Sequence, residues 1–282
     1  RQRALGARPQ MSFCPVPHTF RDQVWLSVGL GLGLSLARYL RGRRSLLLRS
    51  ARVVTLYYWP ATGKAETIRM LLAEAGVPFE ESNFEKPDGV QHIYAVGGEG
   101  MSAARTSPAA VEFFEACRAK GGNLTTNTPM LEVDGRCYTQ SVAIYKLVAR
   151  HGGLYPSDDP EAAYVVDSVV AHCEDAFPLC YQALRGQLSR EELAQSLVPR
   201  HLGNLERLLG EHGGLWFTGH FSLADVRVAD LCLHLFGRSL PGCLEDFPRL
   251  ASLVTRVKAR PRIAAYLASH RYASTDKFSA LA

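Results

Sequence analysis

Three short stretches hold residues placed for chemistry. The apolar run VVTLYYW (residues 53–59) ends in Tyr57, Tyr58 and Trp59, followed by Pro60. A phenol at the end of a buried strand is a protonated donor at neutral pH; the plain alternative is a tyrosine that caps the strand. Successive strand side chains point to opposite faces, so only one of Tyr57 and Tyr58 can serve a given site. Gln140-Ser141 opens a helix. Its unpaired first-turn amides and its dipole favour an anion; the alternative, compatible with the first, is a serine that caps the helix. Thr128-Pro129 precedes a strand, and on its own it reads as a trans turn proline, since cis bonds are uncommon even before proline.

Composition excludes several classes. A chain of 282 residues that is 47% hydrophobic and 21% charged is soluble in character and long enough for one large or two modest domains. The net +5 is unevenly placed: residues 1–52 contain ten Arg and one acid, Asp22, a local +9, so residues 53–282 carry −4. A mildly acidic fold offers no nucleic-acid surface. The seven cysteines are scattered, with no C-x-x-C pair. They read as buried or free thiols in a reducing compartment, without metal-ligand spacing, so no metal is expected.

The elements that position these residues follow in order. A strand at 53–59 leads into GKAETIRMLLAEAG, where Ile68, Leu71, Leu72 and Ala75 form one helix face and Gly76 ends the helix. VPFEESNF (77–84) is a second strand, so the chain opens β-α-β with parallel pairing. Residues 87–106 read as a loop, and Ser107-Pro108 starts a helix that Gly121-Gly122 closes. Asp134-Gly135 turns a hairpin between strands at 130–133 and 136–138, and a helix runs from Gln140-Ser141 to Gly152. The first domain is therefore βαβ-ββα, spanning 52–155 with an insertion at about 87–126. LYPSDD (154–159) is the linker, and strand signals then vanish. The second domain, 156–272, is all-helical and is followed by a tail, 273–282. Asp159-Pro160 starts a long helix containing Pro178, Ser189 and Glu192 fit a capping box, and Pro199 breaks or kinks the helix that follows. Ser222 to Asp225 forms another capping box, and Pro248 and Pro261 begin helices.

Residues 1–51 are expected to lie outside the fold. VWLSVGLGLGLSLA (24–37) is uncharged but shorter than the roughly 20 residues that cross a bilayer. With its basic flank it reads as an organelle transit sequence, as a membrane anchor or as a stretch without a role, the first Met being Met11. The folded part is expected in the cytoplasm, with membrane contact only through this extension.

LYYWPATGKAETIRMLLAEAGVPFEE resembles the opening of tyrosine-type glutathione transferases, and TPMLEVDGRCYTQSVAIYKLVARHGGLYP resembles the second half of that family's thioredoxin-like domain. FTGHFSLADVRVADL and PRLASLVTRVKARPRIAAYL resemble helices of its second domain. The four pieces occur in family order across residues 52–270, and the sigma, pi, alpha and mu classes are the nearest.

The resemblance implies an α/β thioredoxin-like domain followed by an all-α domain, and glutathione as co-substrate. It implies that Tyr58 donates to the glutathione sulfur, stabilising the thiolate that is the nucleophile. It makes Pro129 cis and leaves the Thr128 backbone to pair with the cysteinyl part of glutathione. Gln140 and Ser141 take the γ-glutamyl carboxylate. In a homodimer, Asp175 of one subunit reaches the γ-glutamyl amine in the other, although alone it reads as a solvated helix acid. Lys64 stands where an Arg is usual, keeping the charge but losing the bidentate fork, and Thr62 replaces another Arg. Asn127-Thr128 stand for a usual Gln-Val. The residues that meet the glycyl carboxylate fall in the insertion and are not assigned. Trp59, Pro60, Tyr181 and Leu184 are expected to line an apolar electrophile pocket, with core packing as the alternative for each.

The activity so implied is conjugation of glutathione to hydrophobic electrophiles, with peroxides as a further class. Alternatives are a glutathione-dependent isomerase of the prostaglandin D synthase type and a non-catalytic binding module, against which Tyr58 with Gln140-Ser141 argues. A thiol-disulfide oxidoreductase needs a Cys where Tyr58 stands.

Overall fold

The computed structural model describes residues 48, 51, 53–84, 106–121, 128–184 and 186–272, all within one compact unit, Ser45–Ala282. Four strands form one sheet in the order β2-β1-β3-β4. β1 (Val54–Tyr57) pairs in parallel with β2 (Glu80–Ser82) and antiparallel with β3 (Met130–Val133). β3 returns through Asp134-Gly135 to β4 (Arg136–Thr139). Both turn residues have positive φ, 48° and 85°, matching the right-handed twist of the flanking strands. Asp134 Oδ1 also accepts from the Val53 amide at 3.1 Å.

α1 (Glu66–Ala75) links β1 to β2. Gly76 stops it at φ 67°, with its own N–H on Ala73 and the Val77 N–H on Leu72, a left-handed cap. The expected single apolar face is too narrow a description. Glu66, Thr67 and Arg69 are buried along with Ile68, Leu71 and Leu72, because α1 is packed by α3 (Ser141–Gly152) and also by the helical lobe. Its polar residues are therefore paired internally: Arg69 donates to Glu66, to Glu81 and to the Ala61 carbonyl, and Tyr266 donates to Glu66. α2 (Pro108–Ala119) starts as expected, with Ser107 Oγ accepting from Ala110 N–H. The loop expected at 87–106 lies, except for Thr106, outside the described residues.

The helical lobe starts with α4 (Pro160–Leu184), capped by Asp159 Oδ1 on the Ala162 amide at 3.0 Å and continuous through Pro178. A wide, π-type turn at Leu193–Leu197 precedes α5 (Val198–Glu211), so the break expected at Pro199 is a local loosening of the ladder just before a residue with no N–H. α6 (Leu223–Asp230) is buried along its whole length and carries the expected capping box. It runs on through a second wide turn, Leu231–Phe236, to Gly237–Ser239. α7 (Pro248–Lys258) and α8 (Pro261–Leu267) each begin on proline.

Leu48, placed by the sequence reading in the extension, is 1% exposed and belongs to the core, with Ala51 packed against it. The described fold therefore includes Leu48 and Ala51, since an apolar side chain is stabilised by burial. The targeting expectation for residues 1–51 otherwise lies outside the described residues. No helix among the described residues is long and apolar enough to cross a membrane.

α4 and α5 meet at a histidine pair. His201 Nδ1 lies 3.3 Å from His172 Nε2, the rings are 4.9 Å apart, and His201 is 4% exposed. Burial, then His172 and Arg200, depress the His201 pKa below the ordinary imidazole value, and Asp175 opposes them. In the unfolded chain His201 takes up its proton near pH 6.5. The folded state resists that proton, so stability falls as pH drops through 6.5. We expect the urea midpoint to fall between pH 7.5 and pH 5.5, and His201→Leu to remove that part of the pH dependence.

Candidate functional site

The sheet register brings together segments that are far apart in sequence. Tyr57 pairs with Met130, which pairs with Thr139. One step further along each strand, Tyr58, Thr128-Pro129 and Gln140-Ser141 leave the sheet at the same end. The Thr128-Pro129 bond is cis, as expected.

Tyr57 and Tyr58 diverge. Tyr57 donates to Glu132 Oε2 at 2.9 Å and lies under the Lys120 ammonium, 4.9 Å from its ring centroid, on the side covered by α2 and Phe113. It is thereby committed to packing. Tyr58 turns to the other face. Its oxygen accepts the Lys64 N–H at 2.9 Å, and among the described residues its own proton goes to no acceptor. Burial, then Tyr181, raise its pKa above the tyrosine value, and the Lys64 N–H pulls the other way. The phenol therefore stays protonated at neutral pH and is free to donate. Gly63, which sequence reasoning passed over, is demanded here: its φ is 46°, and a Cβ on it would lie 2.5 Å from the Tyr58 oxygen.

The turn that carries this contact is held from several sides. Tyr145 on α3 donates to the Lys64 carbonyl at 2.8 Å, Arg69 donates to Ala61, and Arg238 Nη1 donates to Thr62 Oγ1 at 2.7 Å. Lys64 itself is committed: Nζ is 3.4 Å from Glu174 Oε2 and 5.1 Å from the Phe177 ring. Glu174 in turn meets the buried Arg227, which also pairs with Asp230. The ammonium expected to serve a thiol thus belongs to an ion-pair chain. With its side chain 40% exposed, the Lys64 link stabilises little by itself.

At α3 the helix cap is Gln140 rather than Ser141. Ser141 is the first helical residue and is buried, while Gln140 has φ 71° and makes no side-chain cap bond. A non-glycine residue at positive φ stores on the order of 1–3 kcal/mol of strain. It leaves the first-turn amides of a 12-residue helix without a side-chain acceptor from its cap, an arrangement suited to an anion.

Asp175 is exposed on α4. Tyr181 stacks on Phe177 at 5.7 Å and 18° and acts electrostatically on Tyr58, so it joins the group. Pro60 is buried. Trp59 goes elsewhere: its ring packs at 5.2 Å against both Phe84 and Phe114, a cluster made by the end of β2 and by α2. The Leu184 side chain lies outside the described residues. Among the described residues no group of three or more His, Cys, Asp or Glu can hold a metal. The six described cysteines are free and buried, and burial raises the Cys173, Cys180 and Cys232 thiols well above their ordinary value, so none is a ready thiolate.

Known proteins share sequence and fold with this chain. A family model described as "Glutathione S-transferase, C-terminal domain" matches residues 175–270. The chain is 31% identical over 222 residues to glutathione S-transferase P of Bos taurus, covering 76% of this chain and 91% of that one. It is 29% identical over 235 residues to glutathione S-transferase A1 of Bos taurus, covering 79% and 92%. A solved pi-class glutathione S-transferase of Onchocerca volvulus shares the fold with a TM-score of 0.61 at 21% identity, over 78% of this chain and 94% of that chain.

Proposed function

The chain belongs to the glutathione S-transferase family, and we propose that it is a transferase joining the glutathione thiolate to hydrophobic electrophiles, peroxides being a further class. The observation that carries this is the Tyr58 phenol, protonated and fixed by the Lys64 N–H, at the sheet end where Pro129 and Ser141 converge.

In this reading the glutathione thiol loses its proton to solvent and Tyr58 donates to the resulting S⁻. That hydrogen bond favours the anion and lowers the thiol pKa from about 8.5 towards neutrality. The sulfur then attacks the electrophilic carbon and displaces its leaving group. The γ-glutamyl carboxylate sits on the amides of Ser141 and its successors, and the cysteinyl backbone pairs with Thr128. Asp175 reaches the γ-glutamyl amine of a second copy, a reading supported by its exposure on α4, so the enzyme is a homodimer. Lys64 contributes long-range positive charge and no direct contact, given its engagement with Glu174. The glutathione-binding domain takes in Leu48 and Ala51 and runs to residue 155, and the helical domain is 156–272. The electrophile lies against Tyr181 and Pro60.

The test is conjugation of glutathione to a generic aryl halide together with retention on immobilised glutathione. Turnover with retention supports the reading. Retention without turnover moves the chain to isomerase or binding module, and loss of both removes the glutathione site.

A further inference from the structure

We propose that Arg238 is a positioning residue for Tyr58: by donating to Thr62 Oγ1 it holds, from the helical lobe, the Thr62–Lys64 turn whose amide fixes the phenol. The inference rests on the transferase reading and goes beyond it, to a residue 176 positions from its partner.

Arg238 is aimed by the backbone. The wide turn Leu231–Phe236 places an extra residue in the ladder, which rotates everything after it by about 100° around the helix axis. Gly237 closes that turn where no side chain fits, since a Cβ would lie 2.6 Å from the Cys232 carbonyl oxygen. On the other side Ser239 is tied down, its hydroxyl donating to Leu235 at 2.8 Å. Arg238, between two fixed neighbours, reaches Thr62 at 2.7 Å. Thr62 is 1% exposed and immediately precedes the glycine that touches the Tyr58 oxygen. The other holds on the turn come from within the thioredoxin-like part: Tyr145 on the Lys64 carbonyl and Arg69 on the Ala61 carbonyl. Among the described residues, Arg238 and the Glu174 contact to Lys64 are holds supplied by the helical lobe. Of these two, Arg238 is the shorter, directional one. Without it, the Lys64 N–H is free to drift from the phenol oxygen, and the phenol from the position in which it meets a thiolate.

The test uses the full chain and the pH profile of kcat/KM for aryl halide conjugation, alongside the ultraviolet band of bound glutathione thiolate. Arg238→Met and Thr62→Val are each expected to raise the apparent pKa of bound glutathione by about half a unit to one unit. Below that pKa the thiolate fraction and kcat/KM then fall by about three- to tenfold, while the KM for glutathione stays within about twofold. The double variant shifts the profile no further than either single one, and Arg238→Lys, which keeps a donor, recovers most of the loss. Unshifted profiles, or shifts that add in the double variant, overturn the proposal. If Arg238→Met does not fold, Thr62→Val, nearly isosteric, decides. Tyr58→Phe separates the two readings: if it leaves the profile unchanged the transferase mechanism fails, whereas a shifted Tyr58→Phe profile beside an unshifted Arg238→Met refutes only the role of Arg238.

Discussion

Replacing Tyr58 with Phe is expected to lower kcat/KM for aryl halide conjugation by about 10²-fold at neutral pH, the scale of removing one fixed donor from a developing or resident anion. The substitution takes away only the hydroxyl. The ring keeps its place next to Gly63, and the Lys64 N–H loses its acceptor. The loss should depend on pH in a defined direction. The donor acts by favouring thiolate, so the variant lags most at pH 6.5 and least above pH 9, where glutathione ionises unaided. Because burial keeps the Tyr58 phenol protonated, the wild-type profile should show no loss of activity from phenol ionisation up to pH 9. Steady-state rates across that range check both points, and a deficit in Tyr58→Phe that is constant with pH would count against thiolate stabilisation.

Asp225→Ala should destabilise the protein by about 3 kcal/mol without altering the site. Asp225 is fully buried and accepts from the amides of Phe217 at 3.1 Å and Ser222 at 2.7 Å, and from the Ser222 hydroxyl at 2.9 Å. Burial pushes its pKa up to about 6 while these donors pull it down; the carboxyl group is retained because it satisfies amides that water cannot reach. Alanine leaves two buried N–H groups unpaired, at about 1–3 kcal/mol each, at the head of a helix packed on all sides. For a fold of this size that corresponds to a thermal midpoint lower by about 10 °C. Asn, which keeps one acceptor oxygen, should recover part of it. Kinetics well below the midpoint should match wild type per folded molecule, and a variant with unchanged stability would remove the capping box from the account of this helix.

The elements and the order of the site segments are legible in the residues alone. Gly76, Asp134-Gly135, Asp159-Pro160, Ser222 with Asp225, Pro248 and Pro261 act locally, through the conformations and hydrogen bonds they allow their own neighbours, so they were legible without any tertiary information. Tyr58, Pro129 and Gln140-Ser141 were legible in the same way once their flanking motifs resembled a family. The rest rests on contacts between distant segments. That Tyr58 rather than Tyr57 faces the turn depends on which side of the sheet α2 covers. That α1 is buried on nearly all sides depends on a second lobe packing over its polar residues, whose partners include Glu81 and Tyr266, distant in sequence. Lys64 was read by its charge, but an ammonium goes to the nearest carboxylate, and Glu174 comes from a helix 110 residues away. Trp59 was read as a pocket wall, and the aromatic rings of Phe84 and Phe114 took it instead. Arg238 and Gly237 carried no signal at all, because a wide helical turn has no sequence signature and its effect is to aim a side chain at a residue in the other lobe.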